Sequence, residues 1–154
     1  MSIGKIRNLN SGSGGGTNLI KKTNFWTSTS SLCKVSKTDS GMTFGDPSYS
    51  GSVYSDDTGY IISEPFEMTT DKVLTIFGKS FLHSASDKSY NEIYIVKENG
   101  TEQRLFSNTE TNYTSFKNIT ITKSGFTGNL RLKFYFAIHG NWANYFTITR
   151  CDIT

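Results

Sequence analysis

The chain has 154 residues and a formal net charge of +3, a length that suits one domain with a proper core. Lys and Arg are spread along the chain without a basic block, which argues against nucleic-acid binding, and no apolar run approaches the roughly 18 residues that a membrane span needs. Aromatic residues make up 14% of the chain and Ser and Thr are abundant, a composition that favours strands over helices.

Residues 1–16 are predicted to form a flexible tether. Residues 11–16 are a glycine- and serine-rich linker, and the short head before them carries Ile3, Ile6 and Leu9. The head is too short to fold alone, so it is an attachment peptide, a disordered tail or an expression remnant. The N-terminus lacks the apolar core of a signal peptide. The predicted domains are therefore 1–16 and 17–154.

Strand-like runs recur about every ten to fifteen residues after the linker, a spacing typical of an all-β sandwich or barrel. The Asn99-Gly100 pair predicts a hairpin between 93–98 and 102–106. No window indicates an amphipathic helix. The fold expected is an antiparallel β-sandwich with strands at 31–36, 42–44, 52–55, 60–66, 73–81, 92–97, 102–106, 113–122, 130–138 and 145–153.

Apolar and polar residues alternate from position 130 to 138, which predicts a strand with one buried face. Arg131, Lys133 and Tyr135 fall on its polar side. The connection to the last strand is polar and contains Trp142, preceded by Asn141. An indole at that place indicates either ligand binding or packing over an edge of the sandwich.

Several segments of the chain together form a recognisable pattern. They are the opening run 17–26 with Asn18-Leu19-Ile20 and Phe25, the runs 59–63 and 73–80, the set Tyr113, Phe116 and Ile119, and the closing Phe146-Thr147-Ile148. These segments resemble the jelly-roll carbohydrate-binding modules that are attached to polysaccharide hydrolases and recur in tail and fibre proteins of bacteriophages. The resemblance implies a jelly-roll β-sandwich over residues 17–154 and an affinity for saccharide.

Modules of this type often hold a structural calcium ion, with an acidic ligand just after the opening Phe and an Asp in the closing strand. Here Trp26 follows Phe25, and Thr149 and Arg150 stand where acids would be expected. Calcium prefers several oxygen ligands, above all carboxylates. No metal and no cofactor is therefore predicted.

Residues that could carry catalysis are scattered. His83 and His139 have no metal-ligand spacing, and no nucleophile elbow or phosphate loop is present. A glycosidase needs two facing carboxylates, for which Glu64, Glu67, Asp56 and Asp57 are candidates by proximity alone. Asp56 and Asp57 with Asp39 and Asp46 could bind a cation, but turn formation explains them better. The prediction is that the chain is not an enzyme.

Cys33 and Cys151 are expected to be buried free thiols. Whether the two cysteines approach each other in the sandwich is left open.

Saccharide binding is better supported, because sugar sites combine aromatic platforms with amides and charged groups. For each tyrosine the alternative is packing on a strand face. The candidate residues are Trp142, Asn141, Tyr135, Lys133, Arg131, Tyr94, Tyr54 and Tyr49.

These observations favour a non-catalytic module of a virion, such as a phage tail, baseplate or fibre accessory protein, that binds a cell-surface polysaccharide. Phage particles assemble in the cytoplasm and act outside, which fits an N-terminus without a signal peptide. The head would contact other virion structural proteins, and a homo-oligomer is left open. One alternative is a decorating virion protein that binds no saccharide. A weaker one is a fragment of a saccharide-degrading enzyme.

Overall fold

The structure is a computed structural model that describes residues 16–29, 34–45, 47, 56–82, 90–109, 115–139 and 144–154, with the backbone alone at 56, 57, 115, 138 and 139. These residues contain one short 3-10 helix and twelve strands. The helix is Leu19–Lys21, and the strands are β1 (Thr17–Asn18), β2 (Trp26–Ser28), β3 (Val35–Thr38), β4 (Gly41–Gly45), β5 (Asp56–Ser63), β6 (Phe66–Met68), β7 (Val73–Leu82), β8 (Tyr90–Lys97), β9 (Glu102–Asn108), β10 (Ser115–Ser124), β11 (Gly128–His139) and β12 (Asn144–Ile153).

The strands form two antiparallel sheets that face each other. The first sheet has the order β10-β7-β12-β4-β3, with β1 paired to β12, and the second has the order β2-β5-β11-β8-β9, with β6 paired to β11. Among the described strands, the chain changes sheet at every step except from β3 to β4, β5 to β6 and β8 to β9. The predicted antiparallel β-sandwich is therefore confirmed.

The core lies between the sheets and is dominated by aromatic rings. Phe44, Phe134 and Phe146 are fully buried, with ring centroids 4.5 Å apart for Phe44 and Phe134 and 5.3 Å apart for Phe134 and Phe146. Trp26 packs on this cluster from β2, 4.9 Å from the Phe44 ring. Burying each such side chain contributes about 1.5–3 kcal/mol, so these rings are a main source of stability.

The hairpin predicted at Asn99-Gly100 joins β8 to β9. Lys97 N donates to Thr101 O at 2.8 Å, and Gly100 N donates to Lys97 O at 2.8 Å. Gly100 has φ +84°, a conformation that costs glycine little and other residues more. Asn99 Oδ1 accepts a bond from Thr101 N at 3.0 Å. This prediction is confirmed.

The prediction of a single strand at 60–66 is wrong, because Glu64-Pro65 separates two strands, β5 and β6. Proline has no N–H to donate to a neighbouring strand. Both pieces still pair with β11, and Leu132 N, in the gap between them, donates to the Ser63 side-chain oxygen at 2.9 Å. A serine hydroxyl thus replaces a missing backbone acceptor at the break.

The prediction missed the short elements near residue 17. Two residues of β1 pair with β12, Asn18 Oδ1 caps the 3-10 helix by accepting from Ile20 N at 3.1 Å, and β2 pairs with β5. Runs of two or three residues are too short to show a periodicity. The strand predicted at 52–55 lies outside the described residues.

None of the helices in the described ranges has the length and apolar character to cross a membrane.

Cys151 lies in β12 and is fully buried. Burial raises the pKa of its thiol above the ordinary value, with a further contribution from Asp152. The thiol therefore stays protonated and behaves as a small apolar group, as predicted. Cys33 lies outside the described residues, so its relation to Cys151 stays a prediction.

Candidate functional site

The outer face of the second sheet carries a group of tyrosines, which we call the tyrosine face: Tyr60, Tyr90, Tyr94 and Tyr135, together with Lys133. Along β11, Leu130, Leu132, Phe134 and Phe136 are buried in the core, so the alternate residues Arg131, Lys133 and Tyr135 face away from it. Register then sets their neighbours: Lys133 lies opposite Tyr94 on β8, and Tyr135 lies opposite Tyr60 on β5.

Lys133 lies at the centre of this face. Its Nζ is 4.9 Å from the ring centroid of Tyr60 and 5.4 Å from those of Tyr94 and Tyr135. It also forms an ion pair of 2.6 Å with Glu102 Oε1, and its side chain is only 14% exposed. A cation in contact with three rings is attracted by each of them, so Lys133 fixes the positions of rings from three strands.

Glu92 anchors the neighbouring part of the face. Its side chain is 8% exposed and its Oε1 accepts from Arg104 Nη1 at 2.9 Å and from Ser107 Oγ at 3.2 Å. The Tyr94 hydroxyl donates to Oε2. Arg104 and Ser107 are three positions apart and would face opposite sides of a regular strand, but a bulge between the paired positions Ile93 and Tyr94 brings both to the outside.

The hydroxyls of Tyr94 and Tyr90 are shielded from ionisation. Burial raises the pKa of Tyr94 to about 12, helped by its hydrogen bond to Glu92 and by the negative charge of that carboxylate. Burial also raises the pKa of Tyr90, with a further contribution from a hydrogen bond with Tyr135. The rings of Tyr90 and Tyr135 stack with centroids 5.8 Å apart. The Tyr90 and Tyr94 hydroxyls are therefore held in their neutral, hydrogen-bonding form.

The charges of the face nearly cancel. Lys133 is paired with Glu102 and Arg104 with Glu92, which leaves the guanidinium of Arg131 as the cation without a carboxylate partner among the described residues. Arg131 donates a long bond of 3.5 Å to Ser63 O and borders a shallow pocket of about 460 Å³ beside the hairpin. The face thus combines aromatic rings, fixed donors and fixed acceptors with a small net positive charge.

Four of the predicted binding residues are brought together here, namely Tyr135, Lys133, Arg131 and Tyr94. The other four, Trp142, Asn141, Tyr54 and Tyr49, lie outside the described residues and stay predictions, as do the attachment residues Ile3, Ile6 and Leu9.

The sequence prediction missed Tyr60, Tyr90, Glu92 and Arg104. The alternation of β8 could have revealed the first part of this set, because Asn91, Ile93 and Ile95 are buried and the intervening positions are Tyr90, Glu92, Tyr94 and Val96. Tyr60 is the first residue of the strand predicted at 60–66. Nothing in the sequence marks the bulge that brings Arg104 to Glu92.

Only two of the four carboxylates considered for catalysis, Glu64 and Glu67, have described side chains. Glu64 and Glu67 are exposed around the break between β5 and β6, and the side chains of Asp56 and Asp57 are not described. No group of three potential metal ligands forms among the described side chains. The closing strand does contain an acid, Asp152, but its Oδ2 pairs with Arg150 Nε at 2.8 Å.

No protein-family model matches this chain, and no curated protein matches it. Among solved structures it is similar to TmCBM61, a carbohydrate-binding module in complex with β-1,4-galactotriose, with a TM-score of 0.52, 13% identity and coverage of 90% of this chain and 98% of that one. The xylan-binding module CBM15 gives a TM-score of 0.44 and 15% identity over 91% of this chain and 95% of the other. Xylanase10C from Cellvibrio japonicus, in complex with xylopentaose, gives a TM-score of 0.46 and 15% identity. That match covers 90% of this chain and 28% of the enzyme. The likeness to TmCBM61 shows a shared β-sandwich fold.

Proposed function

We propose that this chain is a non-catalytic saccharide-binding module and that the tyrosine face is its binding site. The observation that carries the proposal is the convergence of Tyr60, Tyr94 and Tyr135 on Lys133 at the outer surface of a sheet. Sugars present apolar C–H faces and rings of hydroxyl groups, so they bind where aromatic rings and polar groups lie side by side.

The contacts within the face would favour binding by pre-organisation. Lys133 and Glu92 already fix the rings and the Arg104 guanidinium in the free protein. Side chains that are ordered before the ligand arrives lose less conformational entropy when it binds. A saccharide lying across β5, β11 and β8 would meet Tyr60, Tyr135 and Tyr94 in turn.

A neutral saccharide fits this face better than a highly charged one. Both described carboxylates of the face, Glu92 and Glu102, already have cationic partners. This balance offers hydrogen-bonding groups to sugar hydroxyls with little net charge. Among the described side chains, the same pairing leaves no two uncommitted carboxylates on the face, whereas glycoside hydrolysis requires an acid and a base or nucleophile.

The test is binding of the intact chain to a glycan array that includes β-1,4-galactotriose, the ligand of TmCBM61, followed by calorimetry on the best ligand. Tyr135→Ala combined with Tyr60→Ala should weaken binding by about 1–3 kcal/mol for each stacked ring, by analogy with base stacking. Lys123→Ala, at an exposed position of β10, serves as the control and should bind normally. Wild-type affinity in the double tyrosine variant would refute the tyrosine face as the site.

The role in a virion is a separate part of this proposal, because binding by the tyrosine face does not depend on which assembly carries the module. Deleting residues 1–16 should abolish incorporation into a particle while leaving the melting temperature nearly unchanged, because a glycine-rich linker transmits little packing energy. If the chain binds no glycan yet assembles with other structural proteins, the decorating role replaces saccharide binding.

A further inference from the structure

The outer face of the first sheet has its own line of rings, which we call the aromatic row: the exposed Phe116 and the half-buried Phe81 and Tyr145. They lie directly opposite one another on β10, β7 and β12, with centroids 4.5 Å apart for Phe116 and Phe81 and 4.9 Å apart for Phe81 and Tyr145. Phe116 is 63% exposed, the only large apolar side chain so exposed among the described residues. Packing in the core does not account for a phenylalanine at this position.

A polar row lies beside the aromatic row, two positions further along each strand. Asn118 pairs with Lys79, Lys79 with Thr147, and Thr147 with Thr43 on β4. Together they present an amide, an ammonium group and two hydroxyls. Asn118, Lys79 and Thr147 also line a groove of about 570 Å³, with Phe77 among its other residues.

We propose that the aromatic row and the polar row form a second saccharide-binding site on the opposite side of the sandwich from the tyrosine face. The rings supply an apolar strip for the C–H faces of a sugar chain, with neighbouring ring planes tilted by 48° and 37°. The adjacent polar row supplies donors and acceptors for the sugar hydroxyls. Lys79 is the one charged residue in these two rows, so the ligand is a neutral or weakly acidic glycan. The proposal shares a ligand class with the proposed function but uses none of its residues.

The polar row is the reason to choose a saccharide over a protein partner. The core of a protein interface is depleted in charged residues and covers its apolar residues completely. Here a line of amide, ammonium and hydroxyl groups runs parallel to the rings at a spacing of one pleat, so every ring has a polar group next to it. A pyranose chain likewise presents apolar C–H faces beside hydroxyl groups, so it matches this arrangement of rings and polar groups.

Two sites on opposite faces make the module bivalent. The two sheets of a sandwich pack about 10 Å apart, and their outer faces point in opposite directions, so one module can bind two separate chains. Binding to a surface with many chains then gains from effective concentration. A bivalent module cross-links soluble polysaccharide, whereas a monovalent one does not.

The experiment uses the full chain with any polysaccharide that the glycan array identifies, and it measures stoichiometry by calorimetry and cross-linking by light scattering. Phe116→Ala combined with Asn118→Ala should remove the second site, so cross-linking is lost and the chain still binds once through the tyrosine face. The matched variant Lys123→Ala on the same strand should retain cross-linking. The melting temperature of the double variant should stay close to that of the wild type, because both altered side chains are exposed.

The outcomes separate the two sites. Cross-linking that persists in the Phe116/Asn118 variant, or one site per wild-type chain, overturns the second site and leaves the tyrosine face intact. The second site is also overturned if the Tyr60/Tyr135 variant loses all binding while the Phe116/Asn118 variant keeps its full affinity. A change in self-association of the Phe116/Asn118 variant, seen by sedimentation without a change in glycan binding, would identify the aromatic row as a protein contact instead.

Discussion

The two outer faces of the sandwich both carry aromatic rings, but the rings are held differently. On the tyrosine face each of Tyr60, Tyr94 and Tyr135 contacts Lys133, and Tyr94 is also tied to Glu92. In the aromatic row, Phe116 packs on Phe81 and Phe81 packs on Tyr145. One face is therefore fixed by charges and hydrogen bonds, and the other by ring packing.

This difference predicts which substitutions change both stability and binding and which change binding alone. Removing a charged group from the tyrosine face should affect both, because the same side chains maintain the face and would contact a ligand. Removing Phe116 should affect binding alone, because the ring is mostly exposed and substitutions at exposed positions usually change stability little.

The largest effect is expected at Glu92. Glu92→Ala removes the acceptor of Tyr94, Arg104 and Ser107, and hydrogen bonds to charged groups each contribute about 1.5–3 kcal/mol. Because Arg104 is 58% exposed and can be solvated again, the total loss should stay near 2–3 kcal/mol. Urea unfolding measures it, with Glu92→Gln as a control of the same shape that should lose less. A loss below about 0.5 kcal/mol, the range of ordinary surface substitutions, would contradict the anchoring role of Glu92.

A smaller effect is expected at Lys133. Lys133→Met keeps the aliphatic part of the side chain and loses the ion pair with Glu102 and the attraction to three rings. The free energy of unfolding should fall by about 1 kcal/mol, and glycan affinity should fall as well. The matched variant Lys79→Met, on the outer face of the first sheet, should leave stability unchanged and lower only the proposed second affinity. Equal effects of the two lysines on stability would remove the contrast between the faces.

The smallest effect near neutral pH is expected from ionisation of Tyr94, which changes stability only under alkaline conditions. The pKa of Tyr94 is raised to about 12 from an ordinary value of 10.0, so the neutral phenol is favoured in the folded state. Its contribution to stability is complete below pH 10 and is lost as the pH rises toward 12. Ultraviolet absorbance at alkaline pH follows the ionisation, and Glu92→Gln should move the pKa of Tyr94 downward. An unchanged titration in that variant would show that Glu92 does not shift this phenol.

The alternation of apolar and polar residues was sufficient to predict part of the site. In β11 it separates the buried Leu132, Phe134 and Phe136 from Lys133 and Tyr135, because successive side chains of a strand point to opposite faces. The same rule places Tyr94 outside, between Ile93 and Ile95. The prediction failed at 60–66, where Pro65 interrupts the alternating run, and at β1 and β2, which are too short to show a pattern.

The sequence by itself therefore determined the fold class and the side of the sheet on which Arg131, Lys133, Tyr135 and Tyr94 lie, because a period of two is a local property of the chain. Only the tertiary structure decided which residues meet. Lys133 contacts Tyr60 across one strand pair and Tyr94 across another, and Arg104 reaches Glu92 because a bulge in the pairing of β8 and β9 shifts the register. Register and bulges arise from pairing between distant segments, and no local pattern specifies them.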